Sequence, residues 1–390
     1  MPAAPLRLIL ILGALAAIGP ISTDIYLPAF PALAAEFGAG DAAVQRTLAA
    51  AFLGMAIGQA FYGPLSDRFG RRLPLALGMG VFALASVGCA LAGDILGLTA
   101  LRLLQALGGC AGLVIGRAVA RDLTEGAAML RLMAQLMLVF ALAPILGPLL
   151  GGWLLTQFGW RAIFWMLAAY GAAMVLAVVL LLPESLAPER RQRGGALDAL
   201  ATYLRLLRDR RFMGHVLGGA LPVAGMFAYI TGSPFVFMGL HGVAPQHYGL
   251  FFGANALGIV TVSQAAGRLS HRFPPARMLP VAQGVAAAAG LVLLLAAATG
   301  WGGFPAIVAT LFVYIASLGG VMPTATALAM GGQGRVAGSA SAVIGVTQFG
   351  CGAVAGVLVS ALHDGTARPM ALLVAGGGLA GLLARRWLVR

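Results

Sequence analysis

The chain has 390 residues, of which 60% are hydrophobic and 9% charged, far below the roughly 25% charged of a soluble domain. Its net charge of +13 rests on 25 arginines with no lysine. A nucleic-acid binder gathers basic groups on a soluble face with aromatics between them, whereas these arginines punctuate apolar segments, so the expected partner is the lipid bilayer and not a nucleic acid.

A span needs about 20 mostly apolar residues to cross about 30 Å of hydrocarbon. That ruler predicts an all-α membrane protein with twelve spans, near 8–31, 44–64, 73–93, 96–118, 131–156, 161–182, 212–239, 247–268, 277–299, 303–329, 336–362 and 369–387. Arg7 before an apolar run also suits a signal peptide, but eleven comparable segments follow, so a retained first helix is expected. The longest polar stretch, Pro183 to Arg211, divides the chain into halves at 1–182 and 212–390, with 183–211 as linker. Within it, Leu197 to Leu204 has the pattern of a short amphipathic helix on the membrane surface.

After the second span the chain reads Gly63-Pro64-Leu65-Ser66-Asp67-Arg68-Phe69-Gly70-Arg71-Arg72, and half a chain later it reads Gly267-Arg268-Leu269-Ser270-His271-Arg272-Phe273. Internal repeats of this kind build many secondary transporters. Twelve spans starting inside place 21 arginines on the inner side and three, Arg46, Arg161 and Arg368, on the outer. The positive-inside rule then puts both termini in the cytoplasm.

Two charges fall inside spans away from their ends. Asp24 lies deep in the first and Arg102 in the outer part of the fourth, at similar depth, so the two could pair if those spans are neighbours. Burial disfavours a carboxylate and a neighbouring guanidinium favours it, which leaves an acid poised to exchange protons. A static ion pair, or Asp94 as the partner of Arg102, is the alternative. The intramembrane amides Gln59, Gln105, Gln135, Asn255, Gln264, Gln283 and Gln348 suit interhelical hydrogen bonds. Gln105, Asn255 and Gln348, with the aromatics Tyr26, Phe30, Phe227, Tyr229 and Phe235, are candidates to line a substrate cavity, and ordinary packing is the competing role. Cys89, Cys110 and Cys351 lack metal or redox spacing and read as buried thiols, so no metal is expected. No H-E-x-x-H, G-x-S-x-G or P-loop pattern occurs, which argues against an intramembrane enzyme and against ATP-driven pumping.

These residues together resemble the major facilitator superfamily over essentially the whole chain. Gly63, Asp67, Arg68, Gly70, Arg71 and Arg72 match its G-x-x-x-D-R-x-G-R-R motif. The resemblance implies that Asp67 meets the start of the eleventh span and that Arg71 meets Asp122, forming a cytoplasmic gate. In the second copy His271 replaces the acid. Arg102-Leu103-Leu104-Gln105-Ala106-Leu107-Gly108 resembles the R-x-x-Q-x-x-G signature of proton-coupled members, and Gly147-Pro148-Leu149-Leu150-Gly151-Gly152 resembles the G-P-x-x-G-G exporter motif. Ser22-Thr23-Asp24-Ile25-Tyr26-Leu27-Pro28 is similar to the first span of the bicyclomycin-resistance and chloramphenicol-exporter (Bcr/CflA) subfamily, with Asp24 at its membrane-embedded acid. Ala16 stands where some related exporters have a second acid. The resemblance implies a monomeric antiporter of the bacterial inner membrane that exports small amphipathic molecules in exchange for protons, with no other cofactor. The alternatives are a proton symporter for uptake and a dedicated metabolite or amino-acid exporter.

Overall fold

The computed structural model describes residues 6–124, 126–191, 196–333 and 336–389. The extreme ends of the two expected halves, part of the linker, and Arg193 and Arg335 of the arginine-rich loops lie outside the described residues. Among those described there are fourteen α-helices and no strand. The first set is α1 (Leu6–Asp24), α2 (Phe30–Glu36), α3 (Asp41–Phe69), α4 (Arg72–Ala90), α5 (Ile95–Leu123), α6 (Gly126–Phe158) and α7 (Trp160–Leu181). After α8 (Ala196–Arg208) come α9 (Arg210–Pro234), α10 (Pro245–Leu269), α11 (Pro275–Thr299), α12 (Gly303–Met330), α13 (Ala337–Ala361) and α14 (Arg368–Leu388).

Eleven helical stretches among the described residues are long and apolar enough to cross a bilayer. A further apolar segment, Leu142–Phe158, belongs to α6, whose 33 residues make about 50 Å of helix. The chain is thus an all-α, multi-pass membrane protein.

The first expected span is not one straight helix. Proline lacks a backbone donor and its ring clashes with the carbonyl four residues earlier. Accordingly α1 stops at Asp24, four residues before Pro28, and a 3-10 turn over Leu27–Ala29 leads into α2. The seventh span also changes character. At Pro234 the α-helix gives way to a π-helix over Phe235–Leu240.

Helix α1 packs on α5, α6 and α7, α5 also packs on α3 and α4, and α4 on α7. In the second set α9 packs on α12, α13 and α14, α11 on α12 and α14, and α10 on α12. Two long seams join the sets, α3 on α13 and α6 on α10. Lipid tails are as apolar as leucine, so such contacts depend on close van der Waals fit and small residues. In the α3–α13 seam, a Cβ at Gly356 would lie 3.0 Å from the Cβ of Ala49. There too the Ser360 hydroxyl donates to Ala42 O at 2.6 Å, and His363 Nε2 lies 3.9 Å from Asp41 Oδ2.

Helix α8 is more than a surface strip. Its Tyr203 hydroxyl donates to Ala60 O at 3.3 Å, and Leu206 is buried with Phe212, Val216 and Ala340.

Candidate transport site and latch

The break in α1 places Asp24 at a junction of three helices. Asp24 is 5% exposed, and no hydrogen bond or ion pair reaches its carboxyl among the described residues. Helix α6 approaches through its glycines: a Cβ at Gly147 would lie 3.1 Å from Asp24 Cβ, and one at Gly151 only 1.9 Å from Ile25 O. Gly152 turns the other way, 2.8 Å by the same measure from Pro245 O at the start of α10. The motif Gly147-Pro148-x-x-Gly151-Gly152 is therefore the wedge of α6 between the α1 break and α10. Across the seam, the 3-10 turn that follows Asp24 contacts α10. Asn255 Nδ2 donates to the Tyr229 hydroxyl at 2.9 Å, Ser233 and Tyr248 share a 2.7 Å hydrogen bond, and the Tyr229 and Phe252 rings stack at 5.1 Å.

Arg102 does not pair with Asp24, which corrects the sequence expectation. Arg102 is 1% exposed, and its guanidinium lies 4.6 Å from the centre of the Tyr26 ring and 5.8 Å from that of Phe164. Nη1 donates to Gln105 Oε1, while Nε and Nη2 have no hydrogen-bond partner among the described residues. Asp94 is no partner either, because its carboxylate caps α5 by accepting from Gly97 N at 2.8 Å. Similar depth along two helices did not reveal that aromatic faces fill the space beside the guanidinium.

The gate motif is mostly helical. Helix α3 continues through Phe69, so the turn itself is Gly70 and Arg71, with Gly70 at φ +88°. Arg71 Nε donates to Asp122 at 2.9 Å, and Nη1 to Asp67 at 2.5 Å and Ser66 at 2.9 Å. Burial pulls the Arg71 guanidinium down, but its bonds to Asp122 and Asp67 outweigh this and hold it above the ordinary arginine value. Asp67 is thus engaged by Arg71, and no hydrogen bond joins it to the start of α13 among the described residues. Arg72 donates to the carbonyls of Val178 and Val179 at the end of α7, and the exposed Arg68 lies over the Phe69 ring.

Glu184, in the segment that joins the two halves, completes this cluster. Its carboxylate accepts from the amides of Arg71 at 2.9 Å and Arg72 at 3.2 Å, capping the first turn of α4, and from Leu186 N at 3.0 Å. A side chain at Gly70 would meet Glu184 Oε2 at 2.5 Å. Burial pushes the Glu184 carboxyl up, but those three amides and the charge of Arg191 prevail and hold it below the usual carboxylate range. Ser185 adds a hydrogen bond to Asp122 at 3.1 Å. The signal was an acid just beyond an apolar span, which by itself has no address.

The substrate candidates separate. Tyr26 and Phe30 pack edge to face at 5.2 Å, Tyr26 and Thr47 share a 2.8 Å hydrogen bond, and Gln105 bridges Arg102 to Ser86, so these three support Arg102. Phe227 sits in the seam between Phe52 at 4.4 Å and Phe349 at 5.6 Å. Tyr229 and Asn255 are buried and hydrogen-bonded to each other, Phe235 lies in the π-helix against His363, and Gln348 borders a small void beside His215. Cys89 and Cys110 are buried, but Cys351 is half-buried and lines a cavity of about 450 Å³ between α9, α13 and α14. In the second copy of the motif, Gly267 lies in the last turn of α10 facing open space and His271 is exposed.

The family model described as Major Facilitator Superfamily matches residues 12–357. The chain is 38% identical to the "uncharacterized MFS-type transporter YdgK" of Bacillus subtilis (strain 168), over 97% of this chain and 94% of that one. It is 31% identical to the "bicyclomycin resistance protein homolog" of Haemophilus influenzae, over 93% and 91%. Its fold is similar to that of the xylose transporter XylE from E. coli in a partially occluded inward-open conformation, with a TM-score of 0.74, 15% identity and coverage of 98% and 96%.

Proposed function

Because the chain belongs to the Major Facilitator Superfamily and, within it, to the bicyclomycin-resistance (Bcr/CflA) subfamily, we propose that this transporter is a drug–proton antiporter. It would export small amphipathic compounds across the bacterial inner membrane, with Asp24 as the acid that exchanges the proton. The observation that carries the reading is the position of Asp24: a buried carboxyl that no hydrogen bond reaches among the described residues, at a helix break, against the stretch of α6 that also meets α10. An ionisable group inside a membrane is costly and marks a transport pathway by default.

In this reading the bundles 1–182 and 212–390 rock about the α3–α13 and α6–α10 seams, with both termini in the cytoplasm and 183–211 joining them. Drug and proton compete. Asp24 takes its proton from the outer side, the bundles rock, and the proton leaves inward as the drug binds. The cluster of Asp67, Arg71, Asp122 and Glu184 serves the cytoplasmic gate. One inward proton supplies about 2.3 kcal/mol per 100 mV and about 1.4 kcal/mol per pH unit. Together these sustain a gradient of roughly a few hundredfold for a neutral drug exchanged one for one.

The test is pH-driven chloramphenicol or bicyclomycin transport in proteoliposomes. Asp24→Asn, inserted at the normal level, abolishes accumulation if the reading is right, and full accumulation by that variant refutes it.

A further inference from the structure

We propose that helix α8 is a strap across one end of the α3–α13 seam, and that Tyr203 is its pin, a positioning residue that holds a backbone carbonyl of α3 left without an intrahelical donor by Pro64. The inference rests on the reading that the two bundles rock about this seam.

Proline has no backbone N–H, so inside a helix the carbonyl four residues earlier loses its usual partner. Pro64 stands inside α3, which continues to Phe69, and the carbonyl it frees is that of Ala60. The Tyr203 hydroxyl of α8 donates to that same oxygen at 3.3 Å. A backbone carbonyl left unpaired away from water costs about as much as a lost hydrogen bond, so the phenol meets a need that the α3 sequence itself creates. Burial, and after it the charge of Asp67, raise the Tyr203 phenol above its ordinary value, and it stays a donor through neutral pH.

The rest of the same side chain belongs to the second set of helices. Tyr203 packs against a cluster formed by Leu206 of α8, Phe212 and Val216 of α9, Ala329 of α12, and Ala340 and Val343 of α13. One residue therefore touches both sets, its hydroxyl on the first and its body on the second. Leu206 is buried in that cluster while Arg205 and Arg208 stay exposed, so α8 is anchored along one face. The seam is closed beside the pin: a Cβ at Gly345 of α13 would lie 2.6 Å from Oε1 of Gln59, the residue before Ala60. Parting α3 from α13 at this end must either break the Tyr203 hydrogen bond or draw α8 out of its cluster. One neutral hydrogen bond nets less than the burial of several apolar side chains. The bond to Ala60 therefore yields first, and α8 moves with the second set.

Amide hydrogen exchange of the full chain in liposomes reads whether α8 is docked. Tyr203→Phe keeps the ring and removes the donor, and is expected to speed exchange in α8 by about two- to tenfold, the value of one neutral hydrogen bond. Pro64→Ala gives the Ala60 carbonyl an intrahelical donor, and in that background Tyr203→Phe is expected to have a smaller effect. Should Pro64→Ala not fold, Pro64→Ser supplies the same donor. Parting of the seam is read by maleimide labelling of Gln59→Cys, with Cys351→Ala removing the half-buried native thiol. Tyr203→Phe is expected to raise that labelling rate by a similar factor. Unchanged exchange in α8 of the folded Tyr203→Phe variant overturns the pin, and an equal effect with and without Pro64 overturns the freed carbonyl. Faster exchange with unchanged labelling overturns the strap. The antiport reading fails separately, through full accumulation by Asp24→Asn, which leaves these measurements unmoved.

Discussion

A methyl group at Gly151 would place its carbon 1.9 Å from the carbonyl oxygen of Ile25. The obstacle is backbone and not the end of a flexible side chain, so α6 and α1 must separate to admit it. Gly151→Ala is expected to destabilise the protein by about 1–3 kcal/mol, the usual range for overpacking, and to abolish transport. Gly147→Ala, which meets Asp24 Cβ at 3.1 Å, is expected to retain part of both. Thermal unfolding in detergent and proteoliposome transport give the order, and equal tolerance of the two substitutions would contradict the wedge.

Arg71 serves two carboxylates and a hydroxyl at once. Its loss leaves Asp122, with a side chain only 15% exposed, facing burial without its cation. Arg71→Ala is expected to cost about 2–4 kcal/mol, somewhat below the range for breaking a fully buried pair. Lysine lacks the planar fork that reaches both acids, so Arg71→Lys is expected to recover less than half of that. Comparison of melting temperatures for the two variants checks both statements.

The Glu184 carboxyl is held below its ordinary value in the folded chain, so its contribution to stability is fully present above about pH 4.3, the value of a free glutamate. That contribution is lost as pH falls through the lower folded value. Glu184→Gln is expected to flatten the part of the stability curve below about pH 4.5 and to lower stability at pH 7. Melting curves of the two proteins at pH 3 to 7 settle this, and parallel curves would show that the cap carries no pH dependence.

The α3–α13 seam brings Ala49 and Gly356 slightly closer than disulfide range, with ideal Cβ positions 3.0 Å apart against about 3.5–4.5 Å for bonded cysteines, so a separation of under about 1 Å admits the bond. The Ala49→Cys/Gly356→Cys double variant is expected to cross-link under mild oxidation with loss of transport, and reduction is expected to restore it. Mobility on non-reducing gels after cleavage in the linker reads the bond. Unimpeded transport by the cross-linked protein would mean that this part of the seam stays closed throughout the cycle.

The spans were legible because a bilayer demands long apolar helices, and Arg71 with Asp122 was legible because a motif carries their register. Three features were not. The end of α1 at Asp24 was signalled by Pro28, but hydropathy runs on unbroken through Pro31, so the break was read as one continuous span. Arg102 looked like half of an ion pair because charge stands out in a sequence, whereas an aromatic face suited to a guanidinium looks like any other Tyr or Phe. Asp67 was expected at the start of α13 and is engaged by Arg71, four residues along its own chain.

Glu184 gives the connecting segment a second duty, because the polypeptide that leaves α7 also closes the first turn of α4. Shortening or cutting it is therefore unlike trimming a tether. A two-fragment version of the protein divided before Pro183 would strip α4 of its cap, whereas one divided beyond Leu186 would carry the cap within the first fragment. Reassembly from separately expressed pieces thus has a preferred boundary, set by a single carboxylate and not by the midpoint of the chain.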